Sequence, residues 1–249
     1  MEEILIGIKQ VKHMKTNGMR LLLAFFLLAA SQIQAQDITL NPSVSGFTAL
    51  KVSTGVQVFL TQGDSQSLRI EAKGFDKKDI IAEVDGGELK LGIRLQGWLG
   101  NDRADRNNNR YVKAYLTTRQ LNEITVASGA QLTGETPFET NKIELAAKSG
   151  SQLTMALKAT DVNLSAGAGS TATVSGSAKT VSASASGGAT IDAKSLTANT
   201  CQAEATSGAT VRVYAENELF MKASTGGSVN HSGPGRVVSR KTSLGGSAN

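Results

Sequence analysis

The sequence is poor in the residues that usually stabilise a compact core. It has one cysteine, Cys201, in 249 residues, and a chain with one cysteine cannot form an internal disulfide. Aromatic residues make up only 4% of the chain, whereas glycine occurs 26 times. A compact globular core normally needs more bulk, so we expect the interior of this protein to be thin.

Histidine is equally scarce, which limits the chemistry of any site. Of the two histidines, only His231 lies beyond the N-terminal segment discussed next. One histidine excludes a His-rich metal site and makes any Ser-His-Asp triad depend on that residue. We expect His231 to be a partly buried residue near the C-terminal end. We expect Cys201 to behave as a small buried apolar residue with no redox role, and we expect no metal or other cofactor.

The N-terminal segment has the pattern of a secretory signal peptide. Residues 20–35 read RLLLAFFLLAASQIQA, with basic residues before a short apolar run and small or polar residues after it. The apolar part is too short to span a bilayer comfortably. We predict a signal peptide over residues 1–35, with an over-long start and cleavage after Ala35. The mature domain, 36–249, would then reside in the periplasm, at the cell surface or outside the cell.

The charge balance gives no indication of nucleic-acid binding. Four of the 26 basic and two of the 21 acidic residues precede Gln36, so the formal charge falls from +5 to +3 after cleavage. This mild surplus is spread along the chain, and we expect no nucleic-acid partner. No later segment is long and apolar enough to predict a membrane anchor. Cys201 lies far from the predicted signal, which excludes lipid attachment at that residue.

A repeat occupies most of the chain. Six segments align on a glycine at intervals of 21, 19, 19, 20 and 18 residues, and an earlier copy contains Gly55. The six glycines are Gly129, Gly150, Gly169, Gly188, Gly208 and Gly226. Residues seven, five and three before each glycine, and three after it, are mainly apolar or small, with polar residues between them. A period of two predicts strands with one buried face.

Such a unit predicts a solenoid. Two short strands and a glycine bend cannot bury an apolar face alone, but they can when stacked on a neighbouring copy. We predict an all-β, single-domain parallel β-helix, or β-solenoid, with coils of about 19–20 residues whose strands pair about 4.8 Å apart. Its narrow bore would accept only residues such as Ala, Ser, Val and Leu.

Heavier strands between residues 61 and 120 predict a β cap at the N-terminal end of the solenoid. The sequence DGG after Val84 predicts a hairpin turn within this cap. Phe75 and Trp98 are expected to cover the end of the bore. The polar segment GNDRADRNNNR at 100–110 has acids at odd spacing, as in a calcium loop. It lacks the full ligand run and carries three arginines, so we predict a solvated loop.

The repeat also aligns charged residues. With each glycine as position zero, Asp192 and Arg212 share position +4 on adjacent coils, and Glu204 and Lys222 share position −4. Both pairs are predicted to form surface ion pairs worth about 0–1 kcal/mol each. No carboxylates are predicted to face each other on adjacent coils, as acid–base catalysis on a polysaccharide requires, so we predict a non-catalytic protein.

The most regular predicted surface feature is the polar column at position +2. Its members are Gln152, Thr171, Thr190, Thr210 and Ser228. Ladders of threonine on a flat sheet can bind regular surfaces such as ice or glycans, so this column is the candidate binding site. The alternative is that threonine simply suits an exposed strand.

The chain also resembles a known family. The opening FTALKVSTGVQVFLTQGDSQSLRIEA, the SGA and SGG steps, the closing SLGG and the signal peptide carry the resemblance. They are similar to the putative auto-transporter adhesin, head GIN domain, family of secreted Bacteroidota proteins, over roughly Phe47 to Gly246. The resemblance implies a right-handed β-helix-like fold, an extracytoplasmic location and, by its name, adhesion. It supplies no catalytic or ligand-binding residues.

Three functions follow in order of preference. The first is a non-catalytic secreted or envelope-associated adhesin or scaffold that presents a rigid face to a glycan or protein partner. The alternative is a carbohydrate-binding module of the cell envelope that serves glycan uptake. The third is a polysaccharide-active β-helix enzyme. Side-by-side association into a homo-oligomer stays open, because the sequence does not decide it.

Overall fold

The computed structural model describes residues 37–94 and 110–249. The predicted signal peptide, Trp98 and nearly all of the segment 100–110 lie outside the described residues. The first strands are β1 (Ile38–Leu40), β2 (Ala49–Val52), β3 (Gln57–Gln62), β4 (Ser67–Lys73), β5 (Ile80–Asp85), β6 (Glu88–Ile93), β7 (Tyr111–Thr118), β8 (Glu123–Val126) and β9 (Gln131–Gly134). The remaining strands are β10 (Phe138–Lys148), β11 (Gln152–Gly167), β12 (Thr171–Ala185), β13 (Thr190–Ala205), β14 (Thr210–Ser224), β15 (Ser228–Ser232), β16 (Arg236–Ser243) and β17 (Ser247–Ala248). A short 3₁₀ turn, Lys77–Asp79, precedes β5.

The long strands stack in parallel, as the repeat predicts. Strands β10 to β14 pair in sequence order, and each runs around most of one coil. Val162 lies opposite Val181, Val181 opposite Cys201, and Cys201 opposite Leu219. Successive coils therefore place one residue each, in register, at the same inward position. The predicted β-solenoid, with about seven turns, is confirmed.

The predicted inward positions are buried in every coil. Residues seven, five and three before each glycine, from Ile143 to Ala223, are at most 5% exposed. The residues three after the glycine are likewise buried: Leu132, Leu153, Ala172, Ile191, Val211 and Val229. Many of these side chains are alanine or valine because opposing strands of a narrow coil leave little space between them.

The glycine of each coil has a defined backbone conformation. Gly208 has φ +72° and follows Ser207 at φ +52°, and the Ala209 N–H donates to the Thr206 carbonyl at 3.1 Å. Two successive positive φ values within a four-residue turn are those of a type I′ turn. A Cβ added at Gly208 would meet nothing within 4 Å. The glycine is therefore required for its backbone angle and not for close approach between coils.

These turns form a hydrogen-bonded ladder along the solenoid. In each coil the glycine N–H donates to a carbonyl of the next turn at 3.0–3.2 Å, from Gly55 to Gly226. The ladder ends at Leu244, which with Gly245 makes one more turn of the same kind. This eighth copy lies in the closing SLGG and was not among the seven glycines aligned from the sequence.

Two buried serines relay hydrogen bonds between coils. The Ser151 hydroxyl accepts from the Lys148 N–H at 3.0 Å and donates to the Val126 carbonyl of the preceding coil at 2.8 Å. Ser170 makes the equivalent pair of bonds. Where alanine occupies this position, as in the coil of Gly208, the Thr206 N–H reaches the preceding coil directly, donating to the Ala185 carbonyl at 3.0 Å. Both serines are thus fully satisfied inside the bore.

The N-terminal cap departs from simple sequential stacking. The coil formed by β2 and β3 has β6 and β7 as parallel partners on one side, and β8 and β9 on the other. In chain order, β2 and β3 form this coil first, β6 and β7 then pair on its outer side, and β8 and β9 pair on its opposite side. Consequently Gly55 contacts the coil of Gly129: its N–H donates to the Ser128 carbonyl at 3.2 Å.

Antiparallel strands and large side chains complete the cap. Strand β4 pairs antiparallel with both β1 and β7. Strands β5 and β6 form the predicted hairpin, with Gly86 and Gly87 both at positive φ. Phe75 is buried at the edge of the core, as expected, and the Arg110 guanidinium carbon lies 4.1 Å from its ring centroid.

The C-terminal coil ends in polar side chains. Arg240 of β16 lies opposite the buried Met221, so it occupies an inward position of the last coil, and it is exposed. A charge at an inward position of an edge strand disfavours the addition of another strand.

Candidate functional site

The predicted polar column is a continuous row in the structure. Gln152, Thr171, Thr190, Thr210 and Ser228 are successive Cα partners on adjacent coils. The side chains are exposed in the first two coils and half-exposed in the others. The row continues through Gln131, Gln57 and Lys113 toward the cap and through Ser247 toward the C-terminal end. Register alone therefore brings all five predicted residues onto one line.

The side chains of this row face solvent, and the backbone N–H groups of the same residues are already hydrogen-bonded. The N–H groups of the five residues donate to carbonyls of the preceding coil at 2.8–3.0 Å. Among the described residues, the hydroxyls of Thr171, Thr190 and Thr210 have no protein partner. Neighbouring coils are about 4.8 Å apart. From Thr171 to Thr210 the row is thus an evenly spaced set of hydroxyls that can donate to and accept from a ligand.

A second outward row runs beside the first, two residues further along each strand. It contains Thr133, Thr154, Thr173, Asp192, Arg212 and Asn230. Sequence reasoning did not single out this row as a binding feature, although its members lie at position +4 of the same repeat. The two rows together form a polar strip, which we call the polar face.

The cap end of the polar face is aromatic. Phe59 lies opposite Thr133 and Tyr115, and the Phe59 and Tyr115 rings stack with centroids 5.2 Å apart and planes at 17°. The Arg69 guanidinium carbon lies 4.3 Å from the Tyr115 ring centroid. The two rings therefore cover one face of each other, and Arg69 lies over the Tyr115 ring. Sequence reasoning missed this cluster, because its strands lie far apart in the chain.

Glu71 completes the aromatic cluster. The Tyr115 hydroxyl donates to the Glu71 carboxylate at 3.2 Å, and the same carboxylate contacts Arg69. Desolvation raises the pKa of Tyr115, and the hydrogen bond to Glu71 raises it further. The phenol therefore stays neutral and acts as a donor at physiological pH.

The two predicted ion pairs have different outcomes. Glu204 and Lys222 are Cα partners, and their charged atoms are 2.7 Å apart, which confirms this pair. Asp192 and Arg212 are also Cα partners, but the predicted ion pair is wrong, because Asp192 contacts Lys194 at 3.8 Å. The pairing of β13 with β14 becomes irregular after Ala193, and the Lys194 N–H also points to the Asp192 carboxylate at 3.4 Å.

The prediction that no carboxylates face each other on adjacent coils is also wrong. Glu123 lies directly opposite Glu144. Both side chains are exposed, and the next residues in this column are Ala49 and Asn163. Over residues 37–94 and 110–249, no group of three or more His, Cys, Asp and Glu residues is arranged to hold a metal ion.

Comparison with known proteins places this fold and its turns in a family. The family model of the putative auto-transporter adhesin, head GIN domain, matches residues 46–235. The chain belongs to this family. The match covers the cap from β2 onward, seven of the eight glycine turns and the polar face up to β15, and it confirms the resemblance found in the sequence. No curated protein matches this head GIN domain protein.

Solved structures share the fold of this head GIN domain protein. A putative adhesin from Bacteroides fragilis is 18% identical with a TM-score of 0.73, covering 87% of this chain and 98% of its own. A putative adhesin from Parabacteroides distasonis is 15% identical with a TM-score of 0.65, covering 86% and 96%. A structure described as a putative lipid binding protein from the same species is 16% identical with a TM-score of 0.63, covering 86% and 96%. At these identities the likeness establishes the fold alone.

The two remaining candidate residues of the head GIN domain protein, His231 and Cys201, contact only other parts of the fold among the described residues. His231 is half-buried in the last coils, and its Nδ1 lies 2.7 Å from the Asn249 carbonyl oxygen. Cys201 is buried in the bore, where burial raises the pKa of its thiol to about 12. No described helical segment has the length and hydropathy needed to cross a membrane.

Proposed function

We propose that this protein is a non-catalytic adhesin or scaffold whose binding surface is the polar face. The observation that carries the proposal is the row Gln152, Thr171, Thr190, Thr210 and Ser228, whose members are in register and point into solvent. The adhesin names of the family and of two structural neighbours support it.

The proposed mechanism is the presentation of many weak contacts at fixed spacing. A single hydrogen bond contributes only about 0.5–1.5 kcal/mol net, because each group exchanges water for its partner. The coils hold the groups in line without further ordering, so little conformational entropy is lost on binding. A partner with repeated polar groups then gains affinity from simultaneous contacts.

The non-catalytic part of the proposal rests on the surroundings of the candidate acids. Glu123 and Glu144 lie on an exposed strand surface, and among the described residues they are not part of a group that could hold a metal ion. The His231 Nδ1 lies within hydrogen-bond distance of the Asn249 carbonyl oxygen. We expect no release of reducing sugars when the protein is incubated with polysaccharides. Release that is abolished by Glu144→Gln would establish the enzyme function instead.

The proposed location is outside the cytoplasm. Residues 1–35 would direct secretion and be removed after Ala35, in agreement with the adhesin name of the family. Mass spectrometry of the secreted protein is expected to find Gln36 at the N-terminus. A chain that retains residues before Gln36, or that stays in the cytoplasm, would contradict this proposal.

An array of glycans and extracellular-matrix proteins tests the binding function. The test variant Thr171→Val/Thr190→Val/Thr210→Val removes three hydroxyls and keeps the β-branched shape. The control variant Ser182→Ala/Ser184→Ala/Gln202→Ala removes polar groups from the exposed strand surface that precedes the glycine turns. The test variant should lose at least tenfold in affinity for the bound partner, and the control should lose less than twofold. A blank array, or equal binding by the two variants, would overturn the proposal.

The same array tests the second candidate, a carbohydrate-binding module for glycan uptake. The observation that favours it is the grouping of hydroxyls from both rows, with Thr171 and Thr173 on one coil and Thr154 on the coil before. Polysaccharides carry hydroxyls that both donate and accept, as these rows do. Binding to soluble glycans without binding to any matrix protein would select this candidate.

A further inference from the structure

A polar depression lies where the cap meets the full coils. It has a volume of about 550 Å³, within the roughly 300–1,000 Å³ of small-molecule sites. Its lining includes Arg119, Gln120, Glu139, Asn141, Lys158 and Thr160. We call it the step site. None of these residues belongs to the polar face.

The step site arises from a change in coil size. Strands β8 and β9 have only four residues each, whereas β10 begins a further side of the coil at Phe138. This part of β10 pairs with β11 at Phe138–Thr140, but β8 pairs only with Glu144–Ala147. The first residues of β10 therefore have no strand on their cap side, and the depression lies beside them.

Gln62 fixes the shape of this edge. Its side-chain oxygen accepts from the Glu139 N–H at 2.8 Å, and its Nε2 donates to the Glu139 carbonyl at 2.8 Å and to the Arg119 carbonyl at 2.9 Å. The amide thus replaces a neighbouring strand at Glu139 and ties the two walls together. A peptide cannot add as a strand at Glu139, because both backbone groups of that residue are occupied.

The chemistry of the lining indicates the class of ligand. Gln120, Asn141 and Thr160 carry amides or a hydroxyl, which can match sugar hydroxyls. The two cations have only surface ion pairs: Arg119 lies 3.8 Å from Asp64, and Lys158 lies 3.3 Å from Glu139. Exposed pairs of this kind contribute about 0–1 kcal/mol, so a ligand anion can displace Asp64 from Arg119 at little cost. At Lys158 the displaced Glu139 carboxylate still lines the site and offsets part of the gain.

From these observations we propose that the step site binds an anionic sugar unit, a carboxylated or sulfated residue of a polysaccharide. Arg119 and Lys158 bind the anion, and the amides and hydroxyls bind the ring substituents. Gln62 is a positioning residue that keeps the walls in place. This inference deepens the proposed binding function, but it uses residues that the polar-face variants leave unchanged.

Calorimetric titration of the purified chain with defined oligosaccharides tests the step site. The probes are an oligogalacturonate, a heparin-type oligosaccharide, a neutral maltooligosaccharide and inorganic sulfate. We expect at least one acidic oligosaccharide to bind at least tenfold more tightly than the neutral one. Inorganic sulfate at equal concentration should not displace it. Absence of binding, equal binding of the neutral probe, or displacement by sulfate would overturn the proposal.

Two variants with equal loss of charge separate a site from general electrostatic attraction. Arg119→Gln/Lys158→Gln should lose at least tenfold in affinity for the acidic oligosaccharide. The control Arg236→Gln/Lys241→Gln, at exposed positions of β16 away from both the step site and the polar face, should change affinity less than twofold. Equal loss in both variants would show non-specific attraction and overturn the proposal.

Gln62→Met tests the positioning role, and the polar-face variant separates the two proposals. Gln62→Met keeps the side-chain length but removes the amide, and it should weaken binding severalfold with an unchanged circular dichroism spectrum. Unchanged binding would contradict the positioning role. Acidic-sugar binding should persist in Thr171→Val/Thr190→Val/Thr210→Val; its loss in that variant would place the sugar on the polar face and overturn the step site.

Discussion

The cap and the repeat coils fill their interiors with side chains of different size. In the cap, Leu68, Leu116 and Leu60 lie opposite one another across three strands, and all are buried. In the coils, Leu164, Ala183 and Ala203 occupy equivalent successive positions. The cap fills this row with leucine on every strand, whereas the middle coils place alanine at the corresponding inward position.

This difference shows what each region tolerates. A core of large side chains is sensitive to deletion, because deletion leaves a cavity that relaxes only partly. A narrow core of alanines is sensitive to addition, because added atoms force the coils apart. The two regions should therefore respond oppositely to changes in side-chain volume.

The largest expected effect comes from a deletion in the cap. Leu116→Ala should lower the free energy of unfolding by about 2–5 kcal/mol, because it empties the middle of the Leu68–Leu116–Leu60 row. Urea denaturation measures the change. Thr61→Ala, at a half-exposed position of the same sheet, is the control and should change stability by less than about 0.5 kcal/mol. A Leu116→Ala protein as stable as its control would contradict the bulk-filled cap.

An addition in the bore should have a somewhat smaller effect. Ala183→Leu should lower the free energy of unfolding by about 1–3 kcal/mol through overpacking against Leu164 and Ala203. Ser182→Leu places the same side chain on the exposed surface of the same strand and should cost less than about 0.5 kcal/mol. Equal stability of the two variants would mean that the bore has spare volume.

The glycine turns provide a test of backbone strain without crowding. Gly208→Val should cost about 1–3 kcal/mol because its φ of +72° is unfavourable for a β-branched residue. The matched change Ser207→Gly, at φ +52°, should be neutral or stabilising. Thermal and urea denaturation of the two variants check this. A stable Gly208→Val protein would show that the turn tolerates another conformation.

The smallest effect is confined to alkaline pH. The folded Cys201 thiol has a pKa of about 12, whereas an accessible thiol ionises near 9, so the unfolded chain loses its proton first. Stability contributed by this group is therefore intact below pH 9 and is lost as pH rises toward 12. Relative to Cys201→Val, the protein should lose about 1.4 kcal/mol at pH 10 and nothing at pH 7. Parallel pH dependences of the two proteins would contradict the buried thiol.

Much of this architecture follows from the sequence because the repeat has a strict register. Once one glycine is aligned, the period of two assigns inward and outward residues, and the stack then brings Thr171 beside Thr190. The DGG hairpin is equally local, since two positive φ values in succession suit glycine.

Other features could not be read from periodicity. Periodicity does not reveal that β2 and β3 lie between strands that follow them in the chain, because it carries no information about pairing order. Glu123 belongs to a strand of only four residues, where the repeat is weakest. Asp192 and Arg212 do not pair because surface ion pairs have small energies. A local irregularity of the backbone is then enough to decide which partner Asp192 contacts. The step site depends on a change in coil size that no residue pattern marks.

Residues one repeat apart lie on adjacent coils in register. Disulfide trapping tests this register directly in a Cys201→Ala background. Thr171→Cys/Thr190→Cys places two cysteines on neighbouring coils, about 4.8 Å apart at Cα, which is within disulfide range. Thr171→Cys/Thr210→Cys places them two coils apart, beyond that range. On mild oxidation the first protein should lose both free thiols without forming an intermolecular disulfide, and the second should keep them. Equal trapping in both, or none in the first, would contradict the stacked register.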